Sequence, residues 1–145
     1  MARIQAGRTG EARNGADPYE SSSTVAKRLY ALDGKPDLID WVYKATFGRT
    51  TKMGDTDVGN AMGVNTWAAF AGSDERAVVD GDFAMLESEL QGVLKTLRKA
   101  NIEIVAIHQH MTGEQPRIMF LHYWGIGRTE DLARGIRAVL DTQTK

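Results

Sequence analysis

The pattern of apolar residues predicts an α+β fold. It is one mainly antiparallel sheet with two helices packed on one face, a split βαβ or ferredoxin-like variant. Three observations carry this. The segments 86–100, LESELQGVLKTLRKA, and 129–143, TEDLARGIRAVLDTQ, repeat apolar residues at helical spacing. The runs 41–49, 64–72, 77–85, 101–111 and 117–125 are β-branched, aromatic or alternating, as strands are. Glycine, aspartate and proline mark the joints between them. The resulting order is β, β, β, α, β, β, α, and its last five elements are most of a split βαβ unit.

Residues 1–23 are rich in Gly, Ser, Arg and Asp and lack periodicity, which predicts a flexible arm. TVAKRLYAL (24–32) makes a short helix with Val25, Leu29 and Leu32 on one side, and Asp33-Gly34-Lys35-Pro36 ends it. The expected division is therefore a flexible N-terminal arm over 1–37 and a single α+β domain over 38–145.

WVYKATFGR (41–49) is the first strand. TTKMGDTDVGNAMG (50–63) is a long loop or a loose hairpin, and VNTWAAFAG (64–72) is the second strand. AVVDGDFAM (77–85) is the third, with Asp80 and Asp82 on one face and Val79 and Phe83 on the other.

The helix over 86–100 carries Leu86, Leu90, Val93, Leu94 and Leu97 at i, i+3/i+4 spacing. Glu87 and Glu89 sit in its first turn and Lys95, Arg98 and Lys99 near its end, as the macrodipole favours. Asn101 is placed to cap it. NIEIVAIHQHM (101–111) is apolar on both faces, which predicts a central strand. TGEQP (112–116) turns the chain, and RIMFLHYWG (117–125) returns as its antiparallel partner. In the last helix Thr129 is the expected N-cap, and Leu132, Ile136, Val139 and Leu140 form the apolar stripe.

With 145 residues, 42% of them hydrophobic and 26% charged, the chain has the size and composition of one globular domain. A net charge of −1 argues against a nucleic-acid binder that works through bulk charge. No apolar run is long enough to span a bilayer, so no membrane span is expected. The first 23 residues show no apolar core of a signal peptide. That leaves a cytoplasmic protein or a processed form of an exported one. The absence of cysteine removes disulfides, thiolate metal sites and a cysteine nucleophile.

The three histidines, His108, His110 and His122, all fall in one hairpin. His108 and His110 are two apart on a strand and so point to one face. His122, on the partner strand, joins that face if paired positions sum to an even number. An odd sum turns it away unless a bulge intervenes. Converging imidazoles form a ligand set for a divalent transition metal, zinc first and copper as the alternative. Glu87, Glu89, Asp80, Asp82 and Glu114 are the carboxylates that could complete it. Among them Glu87 is the expected fourth ligand and Glu89 the expected base. Arg117, beside Pro116 and Glu114, is either an anion clamp or the partner of Glu114 in a turn ion pair. Met111 and Met119 offer thioethers that suit copper(I), or simply fill the core.

No G-x-G-x-x-G follows a strand, and no G-x-S-x-G elbow occurs, so nucleotide binding by those devices and serine hydrolysis lack support. Trp41, Trp67, Tyr123 and Trp124 read as core or pocket wall.

The runs AMGVNTWAAFAG, VVDGDFAMLESEL, IEIVAIHQHMTGEQPRIMFLHYWG and LARGIRAVLD resemble the LppY/LpqO family of bacterial proteins over about residues 38–142. The shared motif is H-x-H-M, then E-x-P-R, then F-x-H-[FY]-W. Here it is His108, His110 and Met111, then Glu114, Pro116 and Arg117, then Phe120, His122, Tyr123 and Trp124. The acidic pair Glu87 and Glu89 fits the same pattern. The resemblance implies an exported or lipoprotein setting in the periplasm or cell envelope, an unknown activity and, in many members, two copies of the domain. One copy is present here.

Three readings follow. The first is a metal-binding domain with His108, His110, His122 and Glu87 as ligands. The second is a metal-dependent hydrolase or lyase at the same site, with Glu89 and Arg117 as catalytic groups and a small molecule as substrate. The third is a metal-free ligand-binding or dimerisation module that forms a homodimer through the apolar strand at 102–107.

Overall fold

A computed structural model describes the backbone of Lys35–Ile39 and the whole of residues 42–144. The helix expected at 24–32, and Trp41, lie outside the described residues. The elements are β1 (Lys35–Ile39), β2 (Val42–Gly48), β3 (Thr51–Met53), β4 (Thr56–Val58), β5 (Asn65–Gly72), β6 (Ala77–Leu86), α1 (Leu90–Lys99), β7 (Glu103–His108), β8 (Ile118–Gly127) and α2 (Thr129–Leu140). Short 3-10 turns at Asn60–Met62 and Glu87–Glu89 lead into β5 and α1.

The fold is α+β, as the sequence predicts. Six strands form one antiparallel sheet in the order β1-β2-β5-β6-β8-β7. β6 and β7 flank β8, each antiparallel to it, so β6–α1–β7 is a split βαβ unit. The core lies between the sheet and the helices. Val79, Phe83 and Met85 of β6 and Leu121 and Tyr123 of β8 meet Val93 and Leu97 of α1. Leu132, Ile136 and Val139 of α2 complete it. Those positions alternate along the strands, so the intervening residues face the other way. On that second face Ala84, Ile118 and Phe120 are buried with Val58 and Val64 in a smaller cluster.

The β3–β4 hairpin covers this smaller cluster, and it realises the loose hairpin expected at 50–63. Backbone bonds tie Lys52 to Gln115 in both directions, at 3.0 and 2.9 Å, and Thr51 Oγ1 donates to the Pro116 carbonyl at 2.6 Å.

The structure corrects three expectations. β1 begins at Lys35, where a helix was expected to end. It is an edge strand, the position at which a strand tolerates Pro36. β7 is not central but forms the opposite edge, and its apolar residues Val105 and Ile107 are 62% and 44% exposed. Thr129 does not cap α2, because its Oγ1 donates to the Ser73 carbonyl at 2.8 Å and Arg128 takes the cap position. Asn101 does stop α1, adopting a left-handed φ of 57° just past the helix.

Candidate metal centre

The register of the β6–β8–β7 sheet assembles the site. Asp82 pairs with His122 across β6 and β8, so both point to the face away from the helices. Glu103 and Ile104 of β7 pair with Trp124 and Tyr123, both odd sums. Continued unbroken, that register would set His108 opposite Met119, on the helix face. A bulge between Ile104 and Ala106 shifts it. Ala106 then pairs with His122 and His108 with Phe120, even sums that turn His108 onto the face of Asp82 and His122. One extra residue in β7 thus lets Ile104 serve the core and His108 serve the site.

His110 follows β7 and returns over the same face. Its ring stacks on Phe120, with centroids 3.4 Å apart and planes 9° apart. A hydrogen bond to the backbone of Gly63 fixes its other side. Gly63 has a φ of 82°, a conformation side chains rarely adopt, so glycine belongs there. The smaller cluster beneath Phe120 is therefore the platform on which His110 rests.

Asp82 Oδ2 stands 3.9 Å from His108 Nε2, 3.8 Å from His110 Nε2 and 3.7 Å from His122 Nδ1. The two Nε2 atoms of His108 and His110 are 3.1 Å apart. Ligand atoms of Asp82, His108 and His110 all lie within 4.8 Å of one another, so this group could hold a metal ion. Tetrahedral ligands at about 2.0–2.1 Å from a zinc ion stand roughly 3.4 Å apart, which falls inside the observed spread. His122 stacks on His108 at 4.8 Å between centroids, and its Nδ1 is also 3.4 Å from the Gly81 carbonyl.

Asp82 is only 3% exposed, and its Oδ1 has no hydrogen-bond partner among the described residues. Burial pushes its carboxyl above the usual carboxylate range, against the pull of His122, His108, His110 and the Leu121 backbone. Burial also pushes His110 below the usual imidazole value, and the neighbouring His108 and His122 add to this. Asp82 and the Gly63 bond oppose that shift. The neutral imidazole is the form that ligates.

The carboxylate at the histidines is therefore Asp82, not Glu87 or Glu89. Glu89 is buried and bonded on both oxygens. Its Oε2 accepts from Arg49 at 2.5 Å and from the Leu86 N–H at 2.8 Å. Its Oε1 accepts from the Thr144 N–H and hydroxyl at 2.8 and 2.6 Å. Glu89 thus reaches back to start its helix and clamps the C-terminal residues. Glu87 and Arg117 line a separate open groove with Leu86, Ser88 and Pro116. Arg117 donates to Gln109 Oε1 at 2.6 Å, rather than pairing with Glu114. Glu114 is buried in the turn and accepts from the Ile118 N–H at 3.4 Å. Met111 packs against the smaller cluster and Met119 against the main core.

The fold and the site define an α+β domain that carries an aspartate–histidine group able to hold a metal ion. The chain belongs to the family described as Domain of Unknown Function (DUF1259), whose pattern matches residues 28–142. No curated protein and no solved structure matches it. Among the described residues no helix is long and apolar enough to cross a membrane.

Proposed function

We propose that this domain binds a divalent transition-metal ion, zinc first, through Asp82, His108 and His110. His122, whose Nδ1 is 3.7 Å from Asp82 Oδ2, is the proposed fourth ligand. The observation that carries the proposal is the buried carboxylate of Asp82, aimed at three imidazoles yet too far from each to hydrogen-bond. A buried carboxylate with one oxygen unpaired is costly unless something compensates it. A cation bound between these groups would do so, and the nitrogen and oxygen donors suit zinc, with copper as the alternative. The H-x-H-M, E-x-P-R and F-x-H-[FY]-W motifs support an LppY/LpqO-type domain and, with it, an exported setting.

The test is metal analysis of protein purified without chelator. About one ion per chain is expected, with none retained in the Asp82→Ala and His108→Ala variants. Protein that holds no metal and takes none up on titration overturns the reading.

A second reading, a metal-dependent hydrolase or lyase at the same site, draws on the exposure of the imidazoles. The side chains of His108, His110 and His122 are 33%, 34% and 43% exposed, which would leave a bound ion open to water and substrate. Glu89 is committed to Arg49 and Thr144 and does not supply the base.

A further inference from the structure

β7 ends the sheet, and its outer edge meets no other strand among the described residues. Its sequence is EIVAIH, with one charged residue, at its first position. Edge strands of monomers are usually blunted by lysine, proline or a covering segment. β1 carries Pro36 at the other edge, whereas β7 has no lysine or proline, no described segment covers it, and it presents Val105 and Ile107 to solvent.

We propose that β7 pairs edge to edge and antiparallel with β7 of a second copy of this chain. The strand is self-complementary about a two-fold axis between Val105 and Ala106. That axis sets Glu103 opposite His108 of the second copy, Ile104 opposite Ile107, and Val105 opposite Ala106. The faces agree at the two pairs outside the bulge. Ile104 and Ile107 both lie on the helix-covered face, since they pair with Tyr123 and Leu121. Glu103 and His108 both lie on the histidine face, since they pair with Trp124 and Phe120. A slip of one residue would set Glu103 opposite Ile107 or Gln109, and His108 opposite Ile102 or Ile104, so that helix-face and histidine-face residues would meet. The bulge, usually a device that spoils an edge, sits at the two-fold axis, so each copy's irregularity faces the other's.

The pairing also matches chemistry at its ends, because a carboxylate meets an imidazole across the strands. Glu103 is free to take that role. Its bond to Arg98 is 3.5 Å long between side chains that are each more than half exposed, a weak pair. The dimer would join the two sheets into one and set both histidine clusters on the same face. Glu103 of the second copy would then stand at the rim of each cluster.

The test is sedimentation velocity of the full chain across a concentration series. The wild type is expected to reach twice its 16.0 kDa mass at the upper end. Val105→Lys sets two like charges beside the axis and is expected to return the chain to single mass, with its circular dichroism unchanged. Val78→Lys, at a position 38% exposed on β6 and away from the edge, is expected to dimerise like the wild type. The proposal is overturned if the wild type stays at single mass throughout, if Val105→Lys dimerises as well as the wild type, or if Val78→Lys is equally disruptive. The mass readout needs no metal, so its failure and that of the metal reading are separable.

Discussion

Replacing Asp82 by asparagine separates what the carboxylate costs the fold from what it does for binding. The side chain is buried, its Oδ1 has no partner among the described residues, and the nearest imidazole nitrogens are 3.7–3.9 Å from Oδ2. Those separations are beyond hydrogen-bond range. A buried polar group left unsatisfied costs about 1–3 kcal/mol, and more when charged. Asparagine keeps the shape and carries no charge. Metal-free Asp82→Asn is therefore expected to be more stable than the wild type by about 1–3 kcal/mol.

Zinc works against that order. An ion present at about a hundredfold over its dissociation constant adds about 2.7 kcal/mol to the form that binds it. The amide is the weaker ligand and captures less of this. The assay is urea unfolding followed by tryptophan fluorescence, with chelator and then with zinc. It is run at about pH 8.5, some two units above the ordinary imidazole value. If the chelated variant is less stable than the wild type by more than about 1 kcal/mol, or if zinc stabilises both equally, the reasoning is wrong.

Three further expectations follow from the supports of the site and fold. Burial raises the Glu89 carboxyl, but bonds from Arg49, Thr144 and the Leu86 N–H outweigh it and hold the group at about 2 against an ordinary 4.5. That difference corresponds to about 3 kcal/mol of stability. It should be complete above about pH 4.5 and vanish as the pH falls towards 2, a slope that Glu89→Gln should abolish in acid-unfolding curves. Phe120→Leu removes the ring under His110 and is expected to weaken zinc binding about 10–100-fold, as loss of a ligand's support does, with its circular dichroism retained. Calorimetric titration reads it, and undiminished affinity would show that the stack does not position His110. A side chain on Gly81 would collide with the Tyr123 hydroxyl and the Trp67 carbonyl, which are joined by a 3.0 Å hydrogen bond above it. Gly81→Ala should therefore cost several times the ~1 kcal/mol expected of Tyr123→Phe in denaturant unfolding.

The helices were legible because their evidence is local. Leu90, Val93, Leu94 and Leu97 repeat within one segment, and Asn101 marks its end. The alternation of Val79, Asp80, Asp82 and Phe83 likewise fixes which residues share a face of β6. The position of β7 was not legible, since an apolar run on both faces usually means a central strand. In β7 the run arises because the bulge sends Ile104 and His108 to opposite faces, and because Val105 and Ile107 stay exposed.

The hairpin showed that three histidines lie close in sequence, and the parity rule framed the question of His122. Only the bulge answers it. The role of Asp82 depends on pairing between β6 and β8, residues some forty positions apart, and nothing near residue 82 announces it. Glu87 and Glu89 were attractive as acids at a helix start. That position instead gave Glu89 a helix N–H, Arg49 and the C-terminal residues as partners.

The central claim is that Asp82, His108 and His110 hold one metal ion, and anomalous diffraction from crystals grown with one equivalent of zinc tests it most directly. The expected result is a single strong peak at about 2.0–2.1 Å from Asp82 Oδ2, His108 Nε2 and His110 Nε2. A peak elsewhere, or none beside these three residues in well-ordered crystals, would contradict it.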